Sequence, residues 1–180
     1  MATALVALAS SAHSMATSLL SAAEVKVGST IPIKVPVKES APNESFTFEN
    51  ISGKSVIVGV PGAFTGTCSK QVPGYIDAFE QFKAKGIDNI FVVAVNDVFV
   101  MKAWKASLAP QGTPVRFIAD DQGAFVGALG MLFDASPLLG GPRSKRFVLV
   151  VDGDTISHLA VEAVPSELTT TAADKVLPWL

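Results

Sequence analysis

A single cysteine, Cys68, and two histidines, His13 and His158, are all this 180-residue chain has of the side chains most used in metal and thiol sites. One cysteine closes no disulfide within the chain, which excludes a disulfide-stapled scaffold and a cysteine zinc cluster. Two histidines so far apart leave a histidine metal site, or a Cys/His dyad, very few ways to exist. Charge is scarce too. Charged residues make up 17% of the chain, and 14 basic against 16 acidic side chains leave a net charge of −2. The densest basic patch is Arg143-Ser144-Lys145-Arg146, too short for a nucleic-acid or membrane-surface role driven by bulk charge. Residues 1–23 carry no charge, yet Ser, Thr and His interrupt them too often for a bilayer span. They also lack the basic residues of an export signal or a mitochondrial leader.

What is present is apolar. Hydrophobic residues are 49% of the chain, enough to fill the core of one domain over residues 25–180. Residues 1–24 read as an extension, with Leu5, Leu8, Ala12, Met15 and Leu19 near helical spacing. Residues 27–50, punctuated by Pro32, Pro36 and Pro42, read as edge strands and loops. Four runs follow that are rich in Val, Ile and Phe: 56–60, 90–95, 115–119 and 147–151. None alternates cleanly, as expected of strands buried on both faces. Between the first two, Tyr75, Ile76, Phe79 and Phe82 mark an amphipathic helix over 68–85 that Gly86 stops. Asp97 caps a second helix with Val100, Met101 and Trp104 on one face. A shorter helix is expected over 124–129. Asp152-Gly153-Asp154 turns a hairpin into a strand over 155–161. Thr170 or Thr171 caps a final helix running toward Trp179. Such an order predicts an α/β fold with a sheet between helices.

Chemistry concentrates after the first buried strand, at Pro61-Gly62-Ala63-Phe64-Thr65-Gly66-Thr67-Cys68. Two glycines and a proline make the turn, and Cys68 falls in the first turn of the helix. Unpaired N–H groups and the helix dipole favour an anion there, and thiols so placed are commonly drawn toward the thiolate. Thr65, three residues earlier, can present its hydroxyl beside the sulfur. An inert buried cysteine is the competing reading. Phe64, Trp104, Phe117 and Phe125 could line a pocket, but aromatic residues in α/β domains more often pack the core. Arg143 reads as a loop or surface charge. No Walker-A loop, Gly-x-Gly-x-x-Gly or His-Glu-x-x-His motif occurs.

Pro61-x-x-x-Thr65-x-x-Cys68 resembles the active-site signature of the peroxiredoxins, and Val60-Pro61-Gly62-Ala63-Phe64-Thr65 is similar to the type II, peroxiredoxin-5-like branch. Pro73-Gly74-Tyr75-Ile76, Val95-Asn96-Asp97, Met101-Lys102-Ala103-Trp104 and Arg143-Ser144-Lys145-Arg146-Phe147 extend the likeness in family order. The resemblance implies a thioredoxin-like fold, with a central mixed β-sheet flanked by helices. It also implies reduction of hydrogen peroxide and organic hydroperoxides without a cofactor or a metal. Cys68 would be the peroxidatic cysteine, with Thr65 and Arg146 as catalytic partners. Pro61, Gly62, Phe64, Thr65 and Arg146 would bind substrate. An external thiol, glutathione with glutaredoxin or else thioredoxin, would act as reductant. A homodimer in the cytoplasm, or in mitochondria or another organelle, completes the expectation, with no nucleic-acid or membrane partner.

The chain departs from the family pattern in three places. Gly66 replaces a usual proline. Only Lys70, Gln71 and Val72 separate Cys68-Ser69 from Pro73-Gly74, where relatives have four residues including a histidine. With one residue fewer, the helix after Cys68 is expected to run without a π-bulge. The second cysteine of many relatives is missing. The competing function is a thioredoxin-fold redox sensor or holdase that signals through oxidised Cys68, and a third reading is a domain that has lost catalysis.

Overall fold

All four apolar runs fall in strands of one sheet in the computed structural model, which describes residues 23–180; three are interior and the run at 115–119 is an edge strand. The helix expected around Leu5–Leu19 lies outside the described residues. In chain order the elements are β1 (Lys54–Val60), α1 (Cys68–Asp77), α2 (Phe79–Ala84), β2 (Ile87–Ala94), α3 (Val98–Leu108), β3 (Arg116–Ala119) and α4 (Ala124–Ala128). There follow β4 (Leu132–Asp134), α5 (Ser136–Leu139), β5 (Pro142–Ser144), β6 (Phe147–Asp152), β7 (Thr155–Val161), α6 (Ala173–Val176) and a closing 3₁₀ turn. The main sheet has the order β3-β2-β1-β6-β7. Strands β1, β2 and β3 are parallel, while β6 is antiparallel to β1 and β7 to β6. This is the mixed sheet flanked by helices that the sequence predicts.

Both faces of the sheet are buried, which is why its strands do not alternate. One face packs Cys68, Val72, Tyr75 and Phe82 together with Met101 and Trp104 of α3. The other packs Phe48, Phe91, Phe125 and Phe147. Trp104 and Phe117 belong to the first core and Phe125 to the second, so three of the four aromatics weighed for a pocket are core. Residue β1 Gly59 pairs with Phe147 of β6, and a methyl group at Gly59 would overlap the Phe147 ring. The close approach of these two strands depends on that missing side chain.

Several local expectations are corrected. The helix expected over 68–85 is two helices, because Ala78 leaves helical dihedrals at φ −88° and ψ 5°. Apolar periodicity reports a buried face, and that face continues past a break in the hydrogen-bond ladder. Through Lys70–Val72 the ladder is regular: the Gln71 N–H donates to the Thr67 carbonyl at 3.0 Å. Gly86 ends α2 at φ +86°, and Asp97 caps α3 by accepting from the Val100 N–H at 2.9 Å. Val98, not Val100, joins Met101 and Trp104 on the buried face of α3.

Residues 27–50 form only isolated bridges, such as Val37 with Phe46, because their prolines remove ladder donors. Neither Thr170 nor Thr171 caps the last helix. Its first position follows Ala172, with no side-chain cap, because the threonines are engaged elsewhere. The β4–β5 ribbon and α5 carry no sequence signal, being three or four residues each. Arg143 lies in β5, half-buried, and donates to the Val95 and Leu139 carbonyls at 2.9 and 3.0 Å. It is a strut between elements and not the surface charge expected.

Candidate active site

Strand β1 delivers the turn at the carboxyl end of the parallel strands, where open α/β sheets place their sites. Two hydrogen bonds between side chain and backbone hold the turn. Asn96, just past β2, accepts from the Ala63 N–H at 3.0 Å, and the Thr65 hydroxyl donates to the Gly62 carbonyl at 3.0 Å. Phe64 sits at φ +63°, the one described residue other than glycine in the left-handed region. Such a conformation costs a bulky side chain roughly 1–2 kcal/mol, so the surroundings must impose it. Phe64 is 54% exposed, and its ring centroid lies 6.5 Å from that of Trp104.

Cys68 opens α1 with no solvent exposure. Arg146 reaches it through register. Phe147 pairs with Gly59, so the preceding residue of the antiparallel strand comes abreast of the turn after β1. Alternation then turns Arg146 away from Phe147 and onto the face where α1 packs. Arg146 is 1% exposed. Its Nη2 donates to Cys68 Sγ at 3.4 Å and to the Pro165 carbonyl at 2.8 Å. Nε donates to that carbonyl at 3.0 Å, and Nη1 donates to Gln71 Oε1 at 2.6 Å. A buried guanidinium so tied is fixed in place.

Three residues of the network around Arg146 escaped sequence reasoning. Gln71 stands one helical turn after Cys68, so i,i+3 geometry was the available signal. Its Nε2 donates to both the carbonyl and the Oγ1 of Thr171, at 2.9 Å each. Thr171 Oγ1 donates in turn to Glu162 Oε1 at 2.9 Å. Glu162, buried just beyond β7, also accepts from the N–H groups of Thr169, Thr170 and Thr171 at 2.8 Å each, and from the Thr169 hydroxyl at 2.6 Å. Burial would raise its pKa, but these donors outweigh it and hold the carboxyl down at about 2. Tyr75 donates to the Thr171 carbonyl at 2.6 Å. Its pKa is pushed up by burial, with the negative charges of Asp174 and Glu162 adding to the effect. Nothing in the sequence ties Glu162 or Thr171 to Cys68.

A cleft of about 420 Å³ opens beside the sulfur's arginine, lined by Pro61, Thr65, Arg146, Phe133, Leu139 and Val164 among others. The structure therefore brings Pro61, Thr65 and Arg146 to one cleft, and Cys68, bonded to Arg146, does not line it. Gly62 and Phe64 do not line it. Gly62 faces Asn96 and Arg143, and Phe64 turns toward Trp104. Thr65 gives its proton to Gly62, so its hydroxyl faces the cleft as an acceptor. His158 stacks on Trp179 with ring centroids 5.9 Å apart and takes no part, which removes the Cys/His reading. Among the described residues no cluster of His, Cys, Asp or Glu could hold a metal, and no helix is long and apolar enough to cross a membrane.

A thiol at a helix start, facing a guanidinium on a thioredoxin-like scaffold, defines a thiol-based redox protein. The Redoxin family matches residues 26–177. Peroxisomal membrane associated protein 20 of Schizosaccharomyces pombe is 51% identical over 87% of this chain and 99% of its own length. Peroxiredoxin-2C of Oryza sativa is 46% identical over 72% of this chain and 80% of its own. The crystal structure of reduced Prx3 from Vibrio vulnificus in complex with hydrogen peroxide superposes with a TM-score of 0.78 at 36% identity, covering 87% of this chain and 99% of that one. The chain belongs to the Redoxin family and, within it, to the peroxiredoxins, as a type II thiol-dependent peroxidase with a single cysteine.

Proposed function

We propose that Cys68 is the peroxidatic nucleophile, that Arg146 and Thr65 are its catalytic partners, and that peroxide enters by the cleft beside Pro61. The observation that carries this is the Arg146 Nη2 donation to Cys68 Sγ at 3.4 Å, between two fully buried groups. The Cys68 thiolate attacks one peroxide oxygen, the O–O bond breaks, and the other oxygen leaves as alkoxide or hydroxide that takes up a proton. Sulfur becomes a sulfenic acid. Of the five guanidinium protons, four have partners among the described residues, which leaves one on Nη1 for a peroxide oxygen. The Thr65 hydroxyl accepts the peroxide O–H, and charge growing on the leaving oxygen meets a donor already in place. Pro61 shields the sulfur from water.

Substrates are hydrogen peroxide and organic hydroperoxides, and the complex named for the Vibrio vulnificus relative supports the first. No second cysteine exists to resolve the sulfenic acid. An external thiol therefore condenses with it, releasing water and leaving a mixed disulfide that a second thiol reduces. Glutathione with glutaredoxin, or thioredoxin, fits that role. Residues 25–180 form the working domain and residues 1–24 an extension. Exposed Phe64, Phe99, Leu138 and Val164 favour a homodimer. The site of action is the cytoplasm or an organelle, and relatives named for peroxisome, mitochondrion and chloroplast support the organelle.

The test is peroxide consumption by the full chain with glutathione, glutaredoxin and thioredoxin systems in parallel, beside Cys68→Ser. Turnover with at least one donor, abolished in the variant, is expected. Activity above a few per cent in Cys68→Ser overturns the assignment of the nucleophile. Rapid oxidation of Cys68 with no turnover under any donor would favour the sensor or holdase reading.

A further inference from the structure

Gln71 is symmetric in shape but not in hydrogen bonding, and something must decide which end of its amide faces Arg146. The carbonyl of Thr171 can only accept. The hydroxyl of Thr171 has one proton, and Glu162 Oε1 takes it at 2.9 Å. Both Thr171 atoms that face Gln71 are therefore acceptors, so Nε2 must point at them, at 2.9 Å each. That leaves Oε1 facing Nη1 of Arg146, at 2.6 Å. An inverted amide would oppose Nη1 with N–H donors and push the guanidinium from its place.

We propose that Glu162 and Thr171 are positioning residues for the peroxidase reaction, fixing through Gln71 the orientation in which Arg146 presents Nη2 to Cys68. The inference rests on the reading of Arg146 as a catalytic partner. Two features support it. Glu162 is bound to donors on all sides and stays ionised through the neutral range, so it remains a pure acceptor. Its own N–H donates to the Arg146 carbonyl at 2.9 Å, tying main chain and relay at the same two residues. Every member of the relay is buried, which makes a wrongly directed hydrogen bond costly.

The experiment is single-turnover oxidation of the reduced full chain by hydrogen peroxide, with the rate expressed per titratable Cys68. Glu162→Gln and the near-isosteric Thr171→Val are expected to slow it about tenfold, the scale on which supporting partners act. Thr171→Ser keeps the hydroxyl and should stay within about twofold of wild type. The double variant Glu162→Gln/Thr171→Val should be no slower than the worse single, because one relay can be broken only once. The final sulfenic acid yield by intact mass should be unchanged in all. A merely structural role would leave the rate per titratable thiol alone, whatever the melting temperature did. Rates within twofold of wild type in both single variants overturn the proposal, as does a Thr171→Ser loss equal to that of Thr171→Val. If Glu162→Gln does not fold, the Thr171 pair decides alone. A wild-type chain that does not react with peroxide would fail the functional reading instead, so the two failures are distinguishable.

Discussion

At the scale of single residues, the two arginines of β5 and its exit divide the labour. Arg146 turns four protons onto three acceptors, the buried Cys68 sulfur and Gln71 Oε1 and the half-buried Pro165 carbonyl. Lysine at 146 keeps a charge but cannot hold Pro165, Gln71 and Cys68 in one plane. Arg146→Lys is expected to cut the peroxide rate roughly 10–1000-fold, by analogy with removal of a single transition-state donor. Arg143 serves carbonyls of two other elements, so Arg143→Lys should cost about 1 kcal/mol of stability and at most a small fraction of the Arg146 rate effect. Stopped-flow rates and urea midpoints of both variants check this. If the two exchange phenotypes, the catalytic arginine has been misassigned.

At the scale of elements, β1 and β6 meet where the site is built. Gly59→Ala puts a methyl group into the Phe147 ring. Overpacking of this kind costs typically 1–3 kcal/mol. The displaced ring sits next to Arg146 in the chain, so the peroxide rate should fall together with stability. Gly66 is the contrasting control. A Cβ there meets nothing within 4 Å, so Gly66→Ala should be neutral or stabilise by about 0.4–1 kcal/mol, through the unfolded chain. Denaturant midpoints and single-turnover rates measured side by side separate the two glycines. Equal effects would mean that the β1–β6 approach does not set the site. The regular ladder of α1 through Lys70–Val72 belongs to this scale too. It brings Gln71 to the third position after Cys68, on the sulfur's side of the helix.

At the scale of the molecule, two buried carboxylates act on acid stability with opposite sign. The folded value for Glu162, about 2, lies below its ordinary 4.5. Its contribution is complete above about pH 4.5 and is lost as pH falls toward about 2. Asp120 is raised by burial, which prevails over the N–H groups of Val126, Phe125 and Ala124. It favours the folded state below its ordinary 3.8, and that advantage is lost as pH rises through its raised value. Urea midpoints between pH 6 and 2 should fall steeply for the natural chain and less so for Glu162→Gln. Oxidation is a second whole-molecule property. With one cysteine, and that one fully buried beside Arg146, excess peroxide without thiol should add two or three oxygens to the monomer mass. Glutathione added first should divert the product to a reducible adduct. A dominant covalent dimer that dithiothreitol dissolves would show resolution between subunits.

The strands of the sheet, the Asp97 cap, the Gly86 stop and the turn bearing Cys68 could all be read from the sequence. Each depends on neighbours in the chain: apolar runs, a capping side chain, a glycine at positive φ, a cysteine one residue inside a helix. The pairing of Cys68 with Arg146 came from family resemblance, since 78 residues separate them. Its geometry was set by the Gly59–Phe147 register. The break at Ala78, the strut made by Arg143, the turning of Gly62 and Phe64 away from the cleft, and the Gln71–Thr171–Glu162 relay came from packing alone. A buried polar group takes whichever partner the fold brings within about 3 Å, and sequence patterns record burial and local turns but not that choice.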